Sequence, residues 1–260
     1  MWPGFENQEG QLIISSFGIM MFLAFLSCNL LIRKTLKEKN ISPDIGDSIV
    51  FWAAIGGILG AKLYYIIEFG IPDLPSNAGL WDYIQNFGTG LVFYGGLIGG
   101  FIAGTLYIYI KKLSWLEYAD IAAPLLALGH GIGRIGCFLV PDCMGVESKY
   151  HFFPLGVSFP HEPEIYRYPT QFYEMFLYVV IFAYLYSYRH EIKFQGELFF
   201  EYLFLIGISR FLIEFLREHP TDIHGDSFFF LGLHGAQIIS VAMMIVGIIF
   251  HYKLRSIKIK

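Results

Sequence analysis

The chain has 260 residues, 55% of them hydrophobic and only 15% charged, with a mean hydropathy of +0.53. That balance excludes a water-soluble domain of this length and leaves the net charge of −4 saying little, because where the charges sit matters more than their sum. Aromatic residues make up 18% of the chain, and many Tyr and Trp lie near the ends of apolar runs, where amphipathic rings favour the membrane–water boundary.

Residues 1–10 carry Glu6 and Glu9 but no Lys or Arg, whereas a cleavable signal peptide opens on a basic region. The first apolar run is therefore expected to stay in the membrane. Crossing ~30 Å of hydrocarbon takes roughly 20 apolar residues as helix. By that measure spans are expected at 12–32, 48–67, 91–110, 121–140, 171–188, 198–216 and 233–252. The expected fold is an all-α membrane protein of about seven transmembrane helices in one polytopic domain. The connection at 141–169, rich in Pro and Gly, reads as a small irregular extracytoplasmic lobe between the fourth and fifth spans.

Basic residues collect at alternate ends of these spans. Arg33, Lys34, Lys37 and Lys39 follow the first, Lys111 and Lys112 the third, Arg189 and Lys193 the fifth, and Lys253, Arg255, Lys258 and Lys260 the last. The connections at 68–90 and 215–232 are acidic or mixed. Because basic residues are retained on the cytoplasmic side, the N-terminus is expected outside and the C-terminus in the cytoplasm. The paired broken helices of inverted-repeat transporters have no counterpart in this sequence.

Lys62, His130, Arg134, Glu201, Arg210 and Glu214 fall inside the apolar runs. A charge near the bilayer centre costs roughly 2.5–3.5 kcal/mol even on lenient scales, so such residues must face a partner or a wet cavity. Snorkelling from a span end is one reading for Glu201 and Lys62, but Arg134 has apolar residues on both sides. Arg210, Glu214 and Arg217 share one helical face, and an Arg210–Glu214 pair that neutralises itself is the plainest account of two of them. With Arg134 and Arg217 added, positive charge exceeds negative, and an anion would complete the site. Arginine suits a phosphodiester, since its planar fork donates parallel hydrogen bonds and stays charged when desolvated.

Two glycine-rich segments lie near these charges. In Phe93-Tyr94-Gly95-Gly96-Leu97-Ile98-Gly99-Gly100 the small residues fit either close helix packing or lipid contact. In Gly129-His130-Gly131-Ile132-Gly133-Arg134-Ile135-Gly136, His130 and Arg134 share a face, and a histidine beside a phosphate-binding arginine is a reasonable general base. Tyr168-Pro169-Thr170-Gln171-Phe172-Tyr173-Glu174 reads locally as a helix start. The three cysteines, Cys28, Cys137 and Cys143, are too few for a disulfide scaffold and lack the paired spacing of a zinc or redox site. Spacing allows a Cys137–Cys143 bridge without requiring it, and neither a metal nor a cofactor is expected.

Taken together, Gly95-Gly96-Leu97-Ile98-Gly99, Gly133-Arg134-Ile135-Gly136 with Phe138 and Gly145, the 168–174 segment, and Arg210-Phe211 with Glu214-Phe215 and Arg217 resemble the prolipoprotein diacylglyceryl transferase family, in order and spacing, over most of the chain. The resemblance implies an enzyme of the bacterial cytoplasmic (inner) membrane that moves the diacylglyceryl group of phosphatidylglycerol onto the lipobox cysteine thiol of a prolipoprotein signal peptide, forming a thioether and releasing glycerol phosphate. Its partners would be that lipid, that peptide and the bilayer, with no nucleic acid. Carried over by position, the resemblance puts Arg134, Arg210 and Glu214 in the catalytic group, and His130 and Tyr94, which the family pattern does not supply, are expected to join it on their own chemistry. Arg134, Arg217, Gly95, Gly96, Gln171, Tyr173, Glu174 and Lys62 are the implied substrate contacts.

The chain departs from the usual family pattern at Tyr94, where His is common, at Cys137 for Asn, at Lys62 for Arg and at Phe17 for Tyr. A phenol with an ordinary pKa near 10 is a poorer base than imidazole, so His130 is expected to take the acid–base role or to hydrogen-bond Tyr94. Two other readings fit the same residues: a divergent paralogue using another lipid or acceptor, and a non-catalytic lipid or anion transporter.

Overall fold

The computed structural model describes residues 4–6, 12–70, 92–218, 228–230 and 232–258. Among them are seven helices of 18 residues or more: α1 (Ser16–Glu38), α2 (Pro43–Tyr65), α3 (Phe93–Ile110), α4 (Trp115–Leu139), α5 (Thr170–Tyr188), α6 (Glu197–Glu214) and α7 (Gly235–Lys258). Each overlaps one expected span. The largest differences are at α1 and α7, which continue past residues 32 and 252 through their basic ends, and at α4, which starts ahead of residue 121 through polar turns carrying Glu117 and Asp120. Four segments are long and apolar enough to cross a membrane: Ser16–Glu38, Pro43–Glu68, Trp115–Leu139 and Gly235–Ile257. With large side chains such as Phe22, Leu59, Phe101, Tyr109, Phe176 and Ile249 exposed along the helices, the protein is a multi-pass membrane protein whose outer solvent is hydrocarbon.

Three short antiparallel hairpins interrupt the helices: β1 (Gly4–Glu6) with β2 (Leu12–Ser15), β3 (Val157–Phe159) with β4 (Glu162–Arg167), and β5 (Phe228–Phe230) with β6 (Leu233–His234). The connections at 71–91 and 219–227, whose charge entered the orientation argument, lie outside the described residues, as does most of 1–10.

The chain divides into two compact units, Asn29–Tyr118 on its own and Met1–Cys28 together with Ala119–Lys260. In the first, Pro43 opens α2 at a position where its missing N–H is no loss, and the Ser42 hydroxyl accepts the Asp44 N–H at 3.4 Å. Asp47 ties α2 to the end of α1, accepting from Asn29 Nδ2 at 2.9 Å and pairing with Arg33. The α2–α3 interface is backbone against backbone. A Cβ at Gly60 would overlap the Gly95 carbonyl, one at Gly99 would overlap that of Gly56, and one at Gly100 would lie 3.0 Å from the Ala53 oxygen. Of the two sequence readings of this glycine run, the structure realises close packing, the small-residue contact that brings membrane helices together without bulky side chains.

In the second unit, α4 to α7 enclose a core of Ala123, Ala127, Tyr178, Ile181, Leu185, Leu198, Tyr202 and Ile206. The N-terminus of α6 is capped from α4: the buried Asp120 carboxylate accepts the Gly196 N–H at 2.6 Å and the Phe199 N–H at 3.0 Å. This satisfies two otherwise orphaned donors with a charge that suits the positive helix end. Helices α6 and α7 approach closely where Gly207 meets the Ser240 carbonyl and Gly247 meets that of Phe200, 2.8 and 2.7 Å from where a Cβ would stand.

Candidate functional site: two arginines on one buried glutamate

The site is built on α5. Gln171, Glu174 and Tyr178 recur at helical spacing on one face, and all three are buried. Glu174 has 1% of its surface exposed, so its carboxylate needs charged partners to offset desolvation. It has two. Arg134 from α4 brings Nε to one carboxylate oxygen, and Arg210 from α6 places Nη1 2.5 Å from the other. The Nη2 of Arg210 lies 2.7 Å from the Glu214 carboxylate one turn along α6, also buried. The Arg210–Glu214 pair expected from their i, i+4 spacing is thus present, but as half of a four-residue network.

The two arginines therefore converge from different helices on one point, as the anion argument requires. A guanidinium carries five N–H donors; Arg134 meets the carboxylates through Nε, and Arg210 through Nη1 and Nη2. Their side chains remain 18% and 19% exposed while Glu174 is at 2%, so the cationic surface is the accessible part of the cluster. Arg134 Nη1 also lies 3.9 Å from Cys137 Sγ. Arg217, just beyond α6, adds a third positive charge against two carboxylates, and it is felt at the Cys143 thiol.

His130 lies one turn before Arg134. Its Nδ1 is 3.3 Å from the Tyr202 hydroxyl, and its ring sits 5.7 Å from that of Tyr178. Neither tyrosine stood out in the sequence, since both look like ordinary aromatic filling of apolar helices. Small residues around Arg134 serve packing: Gly136 accommodates Phe17, and Gly133 lies near Met21. Lys62 is buried on α2 with its ammonium 5.3 Å from the Tyr65 ring centroid, and Gly95 and Gly96 lie in the α2–α3 interface. All three belong to the other compact unit. Tyr94 opens α3, but its side chain lies outside the described residues, so the expected His130–Tyr94 bond does too.

The connection at 141–169 supports the site from one end. Gln171 Nε2 donates to the Asp142 carbonyl at 2.6 Å, the Thr170 hydroxyl to that of Cys143 at 2.9 Å, and the Tyr173 hydroxyl to that of Pro154 at 2.6 Å. Gln171 and Tyr173, expected as substrate contacts, therefore hold this connection to the start of α5. Residues 144–148 form backbone bonds on both sides. Gly145 N–H donates to Tyr168 O at 3.0 Å, Val146 N–H to Leu216 O at 2.9 Å, and Glu218 N–H to Met144 O at 3.2 Å. Arg167 reinforces the seam by pairing with Glu162 at 2.6 Å and Glu218 at 2.7 Å. The Glu162 carboxyl is held below the usual range by its hydrogen bond from Arg167. All three cysteines are free thiols, and Cys143, outside α4, is held below the ordinary thiol range by its hydrogen bond with Cys137.

Apolar helices that bury two arginines on a shared glutamate, with a further arginine close by, define a multi-pass membrane protein with a positively charged cluster among its helices. Residues 6–253 match the family model described as prolipoprotein diacylglyceryl transferase, and the chain belongs to that family. A protein of Clostridium tetani named phosphatidylglycerol–prolipoprotein diacylglyceryl transferase is 34% identical over 241 residues, covering 90% of this chain and 91% of the relative. One of two such proteins of Clostridium perfringens is 30% identical over 246 residues, covering 92% and 90%. A Thermotoga maritima protein of the same name is 29% identical over 248 residues, covering 92% and 80%.

Proposed function

We propose that this protein transfers the diacylglyceryl group of phosphatidylglycerol to the lipobox cysteine of prolipoproteins in the bacterial inner membrane. The single observation that carries the reading is the convergence of Arg134 and Arg210 on Glu174, with donor-rich guanidinium groups more exposed than the carboxylate that holds them. The names of the relatives point to the same substrates.

The cysteine sulfur attacks the glycerol carbon that bears the phosphodiester. A C–S bond forms as the C–O bond breaks, the electron pair passes to the phosphate oxygen, and glycerol phosphate leaves with the proton the thiol gives up. Charge grows on the departing phosphate, and fixed guanidinium donors stabilise it most where water is excluded. Arg134 and Arg210 fill that role, Arg217 adds positive charge, and Glu174 and Glu214 position the arginines. Gln171 and Tyr173 keep the flanking connection in place, and Gly95 and Gly96 hold α3 against α2. His130 receives the thiol proton and passes it to the departing glycerol phosphate. Seven helices cross the bilayer with the N-terminus outside, which puts the 141–169 lobe on the outer face where the lipobox arrives.

The test incubates purified protein with phosphatidylglycerol vesicles and a lipobox peptide, then seeks the diacylglyceryl adduct by mass spectrometry. The adduct is expected, and is expected to vanish in Arg134→Ala and Arg210→Ala. No adduct, with a known transferase active in parallel, removes the reading; intact lipid binding without product would favour a transporter.

A further inference from the structure

At the opposite end of α6 from Arg210 lies a second group of ligating side chains. Glu197 and Glu201, one turn apart at the start of α6, meet His251 from the last part of α7, with a ligand atom of each lying within 4.8 Å of the others. Glu197 is buried and the other two are half-buried. No hydrogen bond or ion pair joins the three to one another among the described residues. Two of the three are nonetheless oriented from outside. Glu197 accepts the Lys193 backbone N–H through Oε2, and Glu201 Oε2 lies 3.4 Å from the donating Tyr184 hydroxyl, so each carboxylate keeps a second oxygen for a ligand.

The imidazole supplies an independent sign. Among the described residues, His251 Nδ1 is buried without a hydrogen-bond partner, in a ring set edge-on to Phe194 at 5.2 Å. A buried polar atom left unmatched is costly and uncommon, and an imidazole beside two carboxylates offers a nitrogen to a metal ion. We propose that Glu197, Glu201 and His251 bind one divalent transition-metal ion. One nitrogen and two carboxylate oxygens suit Zn²⁺, Co²⁺ or Mn²⁺ better than Mg²⁺ or Ca²⁺, which favour oxygen alone. A divalent charge also balances two carboxylates that otherwise face each other at an apolar interface.

The ion would cross-link α6 to α7 where Phe200 stacks on Phe250 at 5.2 Å and Gly247 admits the Phe200 backbone. Arg210 lies nine residues further along α6, about 14 Å at 1.5 Å per residue. The metal thus takes no part in the transfer reaction, and the assignment stands or falls apart from it.

Full-length protein in detergent, with any affinity tag removed, is dialysed against Zn²⁺ and then metal-free buffer, and its zinc is measured by mass spectrometry. One equivalent is expected, with a matching rise in thermal stability. Co²⁺ in its place should give visible d–d absorption bands. In His251→Ala and in the shape-preserving Glu201→Gln, affinity should fall at least about tenfold and the Co²⁺ bands should go. If His251→Ala aggregates, Glu201→Gln decides. Zinc well below one equivalent in the wild-type protein, which is the result if His251 simply protonates to balance the glutamates, overturns the assignment. So does retention of zinc by both variants.

Discussion

Replacing Glu174 by glutamine keeps the side chain's shape and removes the charge on which Arg134 and Arg210 meet. With Glu174 at 2% exposure and the arginines at 18% and 19%, little water reaches the cluster to compensate, and Glu214 is left as the single carboxylate against two guanidinium groups. Removing one partner from a buried ion pair typically costs about 3–5 kcal/mol. For a chain of this size each kcal/mol lowers Tm by about 2–4 °C, so Glu174→Gln should melt roughly 6–20 °C below the wild type. Glu214→Gln should cost less, because Arg210 keeps Glu174. The assay is thermal unfolding in detergent alongside adduct formation on lipobox peptide, and both should fall together in Glu174→Gln. A variant that melts with the wild type and turns over at full rate would show that neither arginine depends on this carboxylate.

Gly60→Leu forces a side chain into the Gly95 backbone, and overpacking of this kind should lower stability by at least about 1–3 kcal/mol, read as faster proteolysis of the α2–α3 pair. Arg167 holds the Glu162 carboxyl below its ordinary value near 4.5, so the stabilisation from this pair is complete above that value and is lost as pH falls beneath it. Protease sensitivity of the 141–169 connection should therefore rise between pH 6 and pH 3, with the Glu162 share of that change missing in Glu162→Gln. His130→Ala and His130→Gln should both slow adduct formation, whereas full turnover in both would remove His130 from the acid–base role. Thiol titration of the unfolded chain should count three reactive cysteines; a count of one would mean a Cys137–Cys143 bridge.

Much of the helical frame was legible because apolar runs of membrane length leave the backbone few alternatives. The i, i+4 spacing of Arg210 and Glu214 likewise announced their pair. Glu174 was harder. Read locally it sits near a helix start among capping residues, and nothing within the 168–174 segment says that arginines 40 residues before it and 36 after it point at the same spot. The clue available was arithmetic: arginines in apolar helices outnumbered the glutamates first assigned to them. Tyr178 and Tyr202 gave no such clue, since a tyrosine in an apolar helix looks the same whether or not its hydroxyl meets a histidine. His251 carries no signal in its own spacing, because the glutamates it meets come from a different helix.

The seam at Gly145 has a mechanical consequence. A Cβ there would stand 2.5 Å from the Tyr168 carbonyl and 2.7 Å from that of Leu216, so the strand of chain passing between them has no thickness to spare. Tyr168 stands two residues before α5 and Leu216 two residues after α6, the helices that carry Glu174 and Arg210. Stitched through one peptide, the two helix ends behave as the jaws of a single clamp, and a side chain at position 145 would prop them apart and pull the charged cluster out of alignment from about 9 Å away along each helix.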